Sequence, residues 1–321
     1  MPKPSDHTIL IATSVHIWND PRVFFKEART LAARYQVEYM AVAQDRSFTR
    51  DGIAITGLEF PRNARTRLKN QVKILCRGMR NYRVIHIHDP ELLWVGLVWA
   101  LLGKPVVYDM HEDVMAVLGR KGPLARCLGR GLRRLERAGT HLFAAFIIAE
   151  DSYRNCFPPT RSLVAIHNYV CVDPRPVVDR AARSPVTLLY VGKCSVIRGT
   201  KDVVEAVRRV REAGTDLRLI LIGSSRDPAF VDQLEDWNRT HAWLTWTGWL
   251  SLEEMVPWIR RASLGVAPLH HVPNYEHSLP TKIFDYMNWG LPYLYSDLEI
   301  NRRFFSESTG GVEFPAGDVA A

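Results

Sequence analysis

Apolar and polar positions along the first half of the chain follow one repeating plan, a short apolar run and then a longer amphipathic stretch. The runs at 8–12, 37–42, 84–88, 105–109, 145–149 and 163–167 are rich in Val and Ile and bounded by polar or turn residues. They predict buried strands. The intervening segments are long enough for helices, and this alternation predicts a parallel, doubly wound sheet. The second half repeats the plan with strands at 187–191, 217–222, 244–247, 264–267 and 293–296. Thr200 is placed to cap a helix whose Val203, Val204, Val207 and Val210 form one stripe, with Gly214 just past its end. Ser251 and Glu254 form a capping box for a helix through Arg260, and Pro257 is expected to kink it. The stretch 169–186 is rich in Pro and lacks helical period, so it reads as a linker between domains 1–168 and 187–321. The expectation is an α/β protein of two Rossmann-like domains facing a cleft, with ligands at the C-terminal ends of the strands.

The longest apolar run, Leu92 to Leu102, is shorter than the roughly 18 residues of a membrane span. No signal core stands out near Met1. The five cysteines are scattered, with no CxxC pair, which argues for a reducing, cytoplasmic setting and against a zinc site. Charge changes the picture. Residues 1–168 carry 25 Lys+Arg and 15 Asp+Glu, a net +10, whereas 169–321 carry 17 and 19, a net −2. A basic first half suits an anionic partner. Its basic residues gather on helical stretches at 64–83 and 123–137. In the first, Leu68, Val72, Leu75 and Met79 make an apolar stripe. Such helices suit an anionic membrane surface, or are half-buried with a solvated rim. No aromatic-rich basic module points to nucleic acid.

Three places carry candidate chemistry. The stretch from His277 to Pro292 reads as a short helix, with Pro280 in its first turn and Gly290 then Pro292 ending it. Ile283, Phe284 and Met287 would form its core face, and Lys282, Asp285 and Trp289 another. The open N–H groups at its mouth, near Ser278, Thr281 and Lys282, suit a phosphate, and Asp285 suits two ribose hydroxyls. The plain alternative is an exposed ion pair. The turn 191–199 puts Lys193 and Arg198 between a strand and a helix, which suits a diphosphate. Its alternative is a solvated basic turn. Two successive strand ends in the first half carry His86, His88, Asp89 and Glu91, then Asp109, His111, Glu112 and Asp113. A site for substrate hydroxyls is preferred there over a metal, and one histidine of the His86–His88 pair is expected simply to be packed.

Together these residues resemble the retaining nucleotide-sugar glycosyltransferases of family four, with the GT-B fold, over nearly the whole chain. The segments that carry the likeness are DPRV (20–23), HDPEL (88–92), VYDMHED (107–113), IHN (166–168), GKCSVIRG (192–199) and SLPTKIFDYMNWGLP (278–292). The last is similar to the family's donor signature of two acidic residues seven positions apart. Asp285 falls on the second acidic position, which implies a ribose contact. His277 stands at the first, with Glu276 one place early, and that position implies a contact with the donor sugar. The family's two phosphate-gripping cations fall on Lys193 and Arg198 with identities exchanged. Its histidine near the transferred sugar falls on His111. The usual Gly-rich first loop is replaced by residues 14–21, so acceptor recognition is expected to differ. The family's final helix, crossing back to the first domain, has no counterpart before Ala321.

The resemblance implies a retaining hexosyltransferase that moves a sugar from a nucleoside diphosphate sugar, UDP before GDP, to a glycan or lipid-linked acceptor in cell-surface polysaccharide synthesis. Thr247, Gly248 and Trp249 would meet the base. Ser278, Leu279, Pro280, Thr281 and Lys282 would hold the diphosphate with the two cations, and His111, His277 and Glu276 would act at the transferred sugar. Asp20, Arg22, His88 and Asp89 would form the acceptor side. No DxD occurs, so neither metal nor other cofactor is expected. The alternatives are a nucleotide-sugar epimerase of the same plan and a catalytically weak scaffold.

Overall fold

The computed structural model describes residues 8–44, 46–111, 113–118, 122–158, 162–170, 185–272, 275–276, 278, 281–305 and 310–320. The chain divides into two compact units, Met1–Asn168 and Tyr169–Ala321. Most of the stretch read as a linker, 171–184, lies outside the described residues.

The first unit holds strands β1 (Thr8–Ile17), β2 (Gln36–Val42), β3 (Ser47–Arg50), β4 (Ile53–Leu58), β5 (Val84–Ile87), β6 (Val106–Met110), β7 (Ala145–Ile148) and β8 (Leu163–Ala165). Its helices are α1 (Arg29–Ala32), α2 (Ala64–Gly78), α3 (Leu93–Leu101), α4 (Val114–Leu118) and α5 (Pro123–Leu142), with a π-helical segment at Pro21–Ala28. The sheet order is β3-β4-β2-β1-β5-β6-β7-β8. Every pairing is parallel except β3 with β4. Both faces are covered. Leu10, Ala12, Ile85 and Ile87 enter one core, and Ile9, Ile11, Tyr39 and Phe24 enter the other. Burial on both faces explains the near-continuous apolar runs. β3 and β4 were not expected. β3 is a mostly exposed edge strand of polar sequence, so neither period nor apolarity marks it.

The second unit holds β9 (Val186–Val191), β10 (Leu217–Ile222), β11 (Leu244–Trp246), β12 (Leu264–Ala267), β13 (Tyr293–Ser296) and β14 (Gly311–Phe314). Its helices are α6 (Thr200–Glu212), α7 (Pro228–Thr240), α8 (Leu252–Ile259), α9 (Thr281–Asn288) and α10 (Glu299–Phe305). The parallel order is β11-β10-β9-β12-β13-β14. The Ser251–Glu254 capping box forms, and Pro257 sits inside α8.

Several helix readings need correction. Gly199, not Thr200, caps α6, while the Thr200 hydroxyl accepts from the Ser195 amide at 3.2 Å. Val210 is exposed. On α2 the buried positions are Asn70, Ile74 and Gly78, while Leu68, Val72 and Met79 face outward. Gly78 is there because Trp99 fills the space a side chain would take. Arg133 of α5 is not a surface cation, since it is buried between Asp113 and Glu136. On α9 the buried face is Ile283, Tyr286 and Trp289, whereas Met287 is exposed. The helix packs against β12 and β13, and Ile283 and Tyr286 are the residues it buries there.

Candidate functional site

In the second unit the polar residues gather beyond the ends of β9, β11 and β12. β9 leads into Gly192 at φ +135°, a left-handed backbone that favours glycine. A Cβ there would come within 2.6 Å of the Lys282 Cε, so the glycine also admits the lysine. Lys282 reaches back from the first turn of α9. Its Nζ donates to the Tyr190 hydroxyl at 3.1 Å and lies 4.3 Å from that ring's centre. Tyr190 in turn donates to the Lys193 carbonyl at 2.7 Å. Burial of the amine, then the nearby Arg198, push the Lys282 pKa down to about 7, against a smaller opposing pull from Cys194. Burial pushes the Cys194 thiol up to about 11. Arg198 ends the turn, its guanidinium 5.5 Å from the Tyr275 ring centre. The turn closes at Gly199, φ +69°, where a Cβ would collide with the Pro268 carbonyl. Lys193, Arg198 and Lys282 therefore converge on one turn, and Lys282 forms no ion pair with Asp285 among the described residues.

Beyond β11, the Thr247 amide donates to Leu221 O at 3.1 Å and the Gly248 carbonyl accepts from the Gly223 amide at 2.7 Å. Trp249 follows, 59% exposed. An exposed indole offers a flat face to a planar ligand. Thr281 is exposed, and Ser278 and Asp285 are half-buried. His277, Leu279 and Pro280 lie outside the described residues. Glu276 is otherwise engaged than expected. Its carboxylate meets His271 Nδ1 at 2.6 Å and accepts from the Glu299 amide at 3.2 Å. His271 Nε2 meets Asp297 at 3.0 Å. The hydrogen bond to Glu276 leads in raising the His271 pKa, against a smaller effect of burial.

In the first unit, strand parity builds the site. Ile85 and Ile87 of β5 point into one core, so His86 and His88 point to the other face, beside Asp109 of β6. Against that face lies the π-helical segment, capped by Asp20, whose carboxylate accepts from the Arg22 and Val23 amides at 2.9 and 3.0 Å. A π-helix brings residues five apart into line, so Arg22 and Glu27 meet: Arg22 Nε donates to Glu27 at 2.9 Å. Arg22 Nη2 donates to both Asp109 oxygens at 2.8 and 2.7 Å. His88 Nδ1 lies 3.1 Å from His111 Nε2, which is itself 3.6 Å from Asp109. Asp89 accepts from Thr13 at 2.7 Å, from Ser14 at 3.1 Å, and pairs with His16 at 2.8 Å. Glu91 links Ser14 and Arg67.

Burial sets the ionisation. It pushes Glu27 up to about 9, with Asp109 adding to it and Arg22 opposing. It pushes His86 down to about 4 and His88 well below the usual imidazole range. For Asp109 burial acts upward, but the His111 hydrogen bond and charge and the Arg22 guanidinium together hold it well below the carboxylate range. Asp89 is likewise held low: burial acts upward and is outweighed by the hydrogen bond and charge of His16.

Of the residues expected on an acceptor side, Arg22, His88 and Asp89 are buried and Asp20 caps the π-helical segment. His111 and His16 are the members with exposed edges, at 17% and 29% of the side chain. Neither histidine of the His86–His88 pair is set in an ordinary apolar core: their rings lie 4.4 Å apart among charged groups. Glu112 lies outside the described residues. Glu27, His16, Thr13, Ser14, Tyr190 and His271 were missed. Glu27 aligns with Arg22 only in a π-helix, which an α-helical spacing does not suggest. Tyr190 carried a signal, being three residues before Lys193 at the end of a strand.

Residues 185–321 match the family described as Glycosyl transferases group 1. Glycogen synthase of Mycobacterium tuberculosis is 26% identical over 201 residues, which cover 59% of this chain and 47% of the relative. The chain spans about half the length of the curated relatives it matches. Sucrose-phosphate synthase from Thermosynechococcus elongatus superimposes with a TM-score of 0.71 at 17% identity, over 99% of this chain and 87% of that one. Anabaena HepE in complex with UDP-glucose gives 0.67 at 11% identity, over 97% and 86%. The catalytic domain of starch synthase IV from Arabidopsis thaliana, bound to ADP and acarbose, gives 0.66 at 11% identity, over 97% and 89%. The chain therefore has the GT-B fold, and its residues 185–321 match a glycosyl transferases group 1 domain.

Proposed function

We propose that the chain is a retaining glycosyltransferase that transfers a sugar from a nucleoside diphosphate sugar to a glycan or lipid-linked acceptor, at the cytoplasmic side of a membrane. The observation that carries this reading is the turn where Lys193, Arg198 and Lys282 converge with an enclosed amine whose one hydrogen-bond partner among the described residues is a hydroxyl. Such a turn at a helix N-terminus suits a diphosphate. Trp249 takes the base and Asp285 the ribose. UDP is favoured over GDP because a protein of this fold, HepE, was solved with UDP-glucose. As the bond from sugar to diphosphate breaks, charge grows on the leaving oxygen, and the three cations stabilise it without a bridging metal. The acceptor oxygen attacks the same face of the sugar, and its proton passes to the departing phosphate. His111 and His16 of the first unit face the acceptor. The exposed Leu68, Val72 and Met79 among the cations of α2, with Leu124 and Leu128 of α5, suit docking on anionic lipid.

Calorimetric titration of UDP, GDP and ADP without metal tests the donor site, on the wild type and on Asp285→Ala. Saturable binding of UDP, weakened in the variant, is expected. No binding of any of the three refutes the donor reading. Flotation with anionic against neutral liposomes tests the membrane side, and equal recovery on both would refute it.

A further inference from the structure

Among the buried ligand-type atoms of the first unit without a hydrogen-bond partner among the described residues are Glu27 Oε2, His86 Nε2 and His88 Nε2, besides carboxylate oxygens of Asp89 and Glu136. The first three belong to neighbours. With one oxygen of Asp109, one ligand atom from each of Glu27, His86 and His88 forms a group whose members all lie within 4.8 Å of one another. Glu27 Oε2 and His88 Nε2 face each other at 3.6 Å, too far for a hydrogen bond and close enough to share an ion. His86 and His88 are 6% and 1% exposed. A buried polar atom left unpaired costs about 1–3 kcal/mol, so three on residues of one such group require an explanation.

We propose that Glu27, His86, His88 and Asp109 bind one divalent first-row transition ion, of the Zn2+, Fe2+ or Mn2+ class. Two imidazoles and two carboxylates suit such ions, and the two carboxylates balance a divalent charge. Four protein ligands make a closed, structural centre rather than one with an open position for substrate. The surroundings fit. Arg22 holds both carboxylates, on Asp109 at 2.8 and 2.7 Å and on Glu27 at 2.9 Å, as an outer partner orients metal ligands. His88 keeps its Nδ1 on His111 at 3.1 Å. The ion therefore fixes the ring that orients His111. The four residues of this centre all belong to the first unit and the donor residues to the second, so it stands or falls separately from the nucleotide reading.

The test is elemental analysis of the purified full chain, made without a histidine tag and dialysed. The expected result is about one equivalent of a single transition metal per chain. His86→Ala and Glu27→Gln should each bind it roughly 10-fold or more weakly. If His86→Ala does not fold, the wild type still decides. After stripping with EDTA, adding ZnSO4, MnCl2 or anaerobic Fe2+ should raise Tm by about 4 °C or more. Wild-type protein that is metal-free as purified, with an unmoved Tm on adding all three ions, overturns the proposal. So does metal content that is unchanged in both variants.

Discussion

The two units end their parallel strands in polar residues and settle the resulting charge in opposite ways. In the first, Arg22 spans Asp109 and Glu27, Asp89 gathers the 13–16 turn, and Arg67 meets Glu91. Arg22, Asp89 and Asp109 there are buried, and each meets an opposite partner. In the second, Lys193, Arg198 and Lys282 crowd one turn, while the nearby carboxylates Glu276 and Asp297 are engaged by His271, and Asp202 by His270. In the first, Arg22 and His16 already sit on the carboxylates, and removal of such a partner should cost stability. The second is read as a place for a bound anion, and its alteration should cost affinity.

Arg22→Ala should have the largest effect. It leaves Asp109 and Glu27 buried without their cation, a loss of about 3–5 kcal/mol for a broken buried pair. Urea unfolding followed by circular dichroism measures it. A loss under about 1 kcal/mol, the range of surface pairs, would break the contrast between the units.

Lys282→Met should do the reverse. The thioether fills the space beside Gly192 without placing an amine near Arg198, so folding stability should hold or rise. Diphosphate affinity should fall roughly 10- to 100-fold, as expected for one charge-assisted contact worth about 1.5–3 kcal/mol. Calorimetry with UDP reads the affinity. An unchanged Kd would remove Lys282 from the donor site.

This division was partly legible in the sequence. The doubly wound plan followed from apolar runs that both faces of each sheet bury, and β3 and β4 escaped it, β3 because a polar edge strand carries little of that signal. That Arg198 and Lys282 fall near one turn was legible because a strand–turn–helix and a helix start fix where they fall. The depth of Arg22, His88 and Asp89 was not legible. A polar residue at a strand end reads the same whether it faces solvent or supports a neighbour, and here the π-helical segment covers that face. Trp289 was misplaced for a related reason: helical spacing assigns faces, but tertiary packing decides which face is buried.

Protonation sharpens the comparison with a smaller effect. An unfolded lysine titrates near 10.4, whereas Lys282 is pushed down to about 7 in the folded chain. Between those values the unfolded state holds a proton that the folded state has released. Stability from this group therefore rises with pH from about 7 to about 10, by at most about 1.4 kcal/mol per unit. Lys282→Met should lack that slope. Bound diphosphate favours the ammonium, so UDP binding at pH 8 should take up a proton. Its calorimetric enthalpy should then differ between Tris and HEPES in the wild type and not in the variant. Equal enthalpies in both buffers, with binding intact, would mean the amine is already charged.

His271 should give the smallest effect and the opposite sign. Its pKa is raised, chiefly by the hydrogen bond to Glu276, with burial opposing and Asp297 adding. A raised imidazole contributes stability that is fully present below its unfolded value near 6.5 and is lost as pH rises through the folded value. The ring is half exposed, so salt screens much of the interaction. His271→Ala should therefore flatten the stability profile just above about pH 6.5, and 1 M salt should shrink the difference between wild type and variant. The wild-type profile combines this fall with the rise from Lys282, and the two single variants separate them. A His271→Ala profile parallel to the wild type across that window would show that Glu276 and Asp297 do not hold the ring's proton.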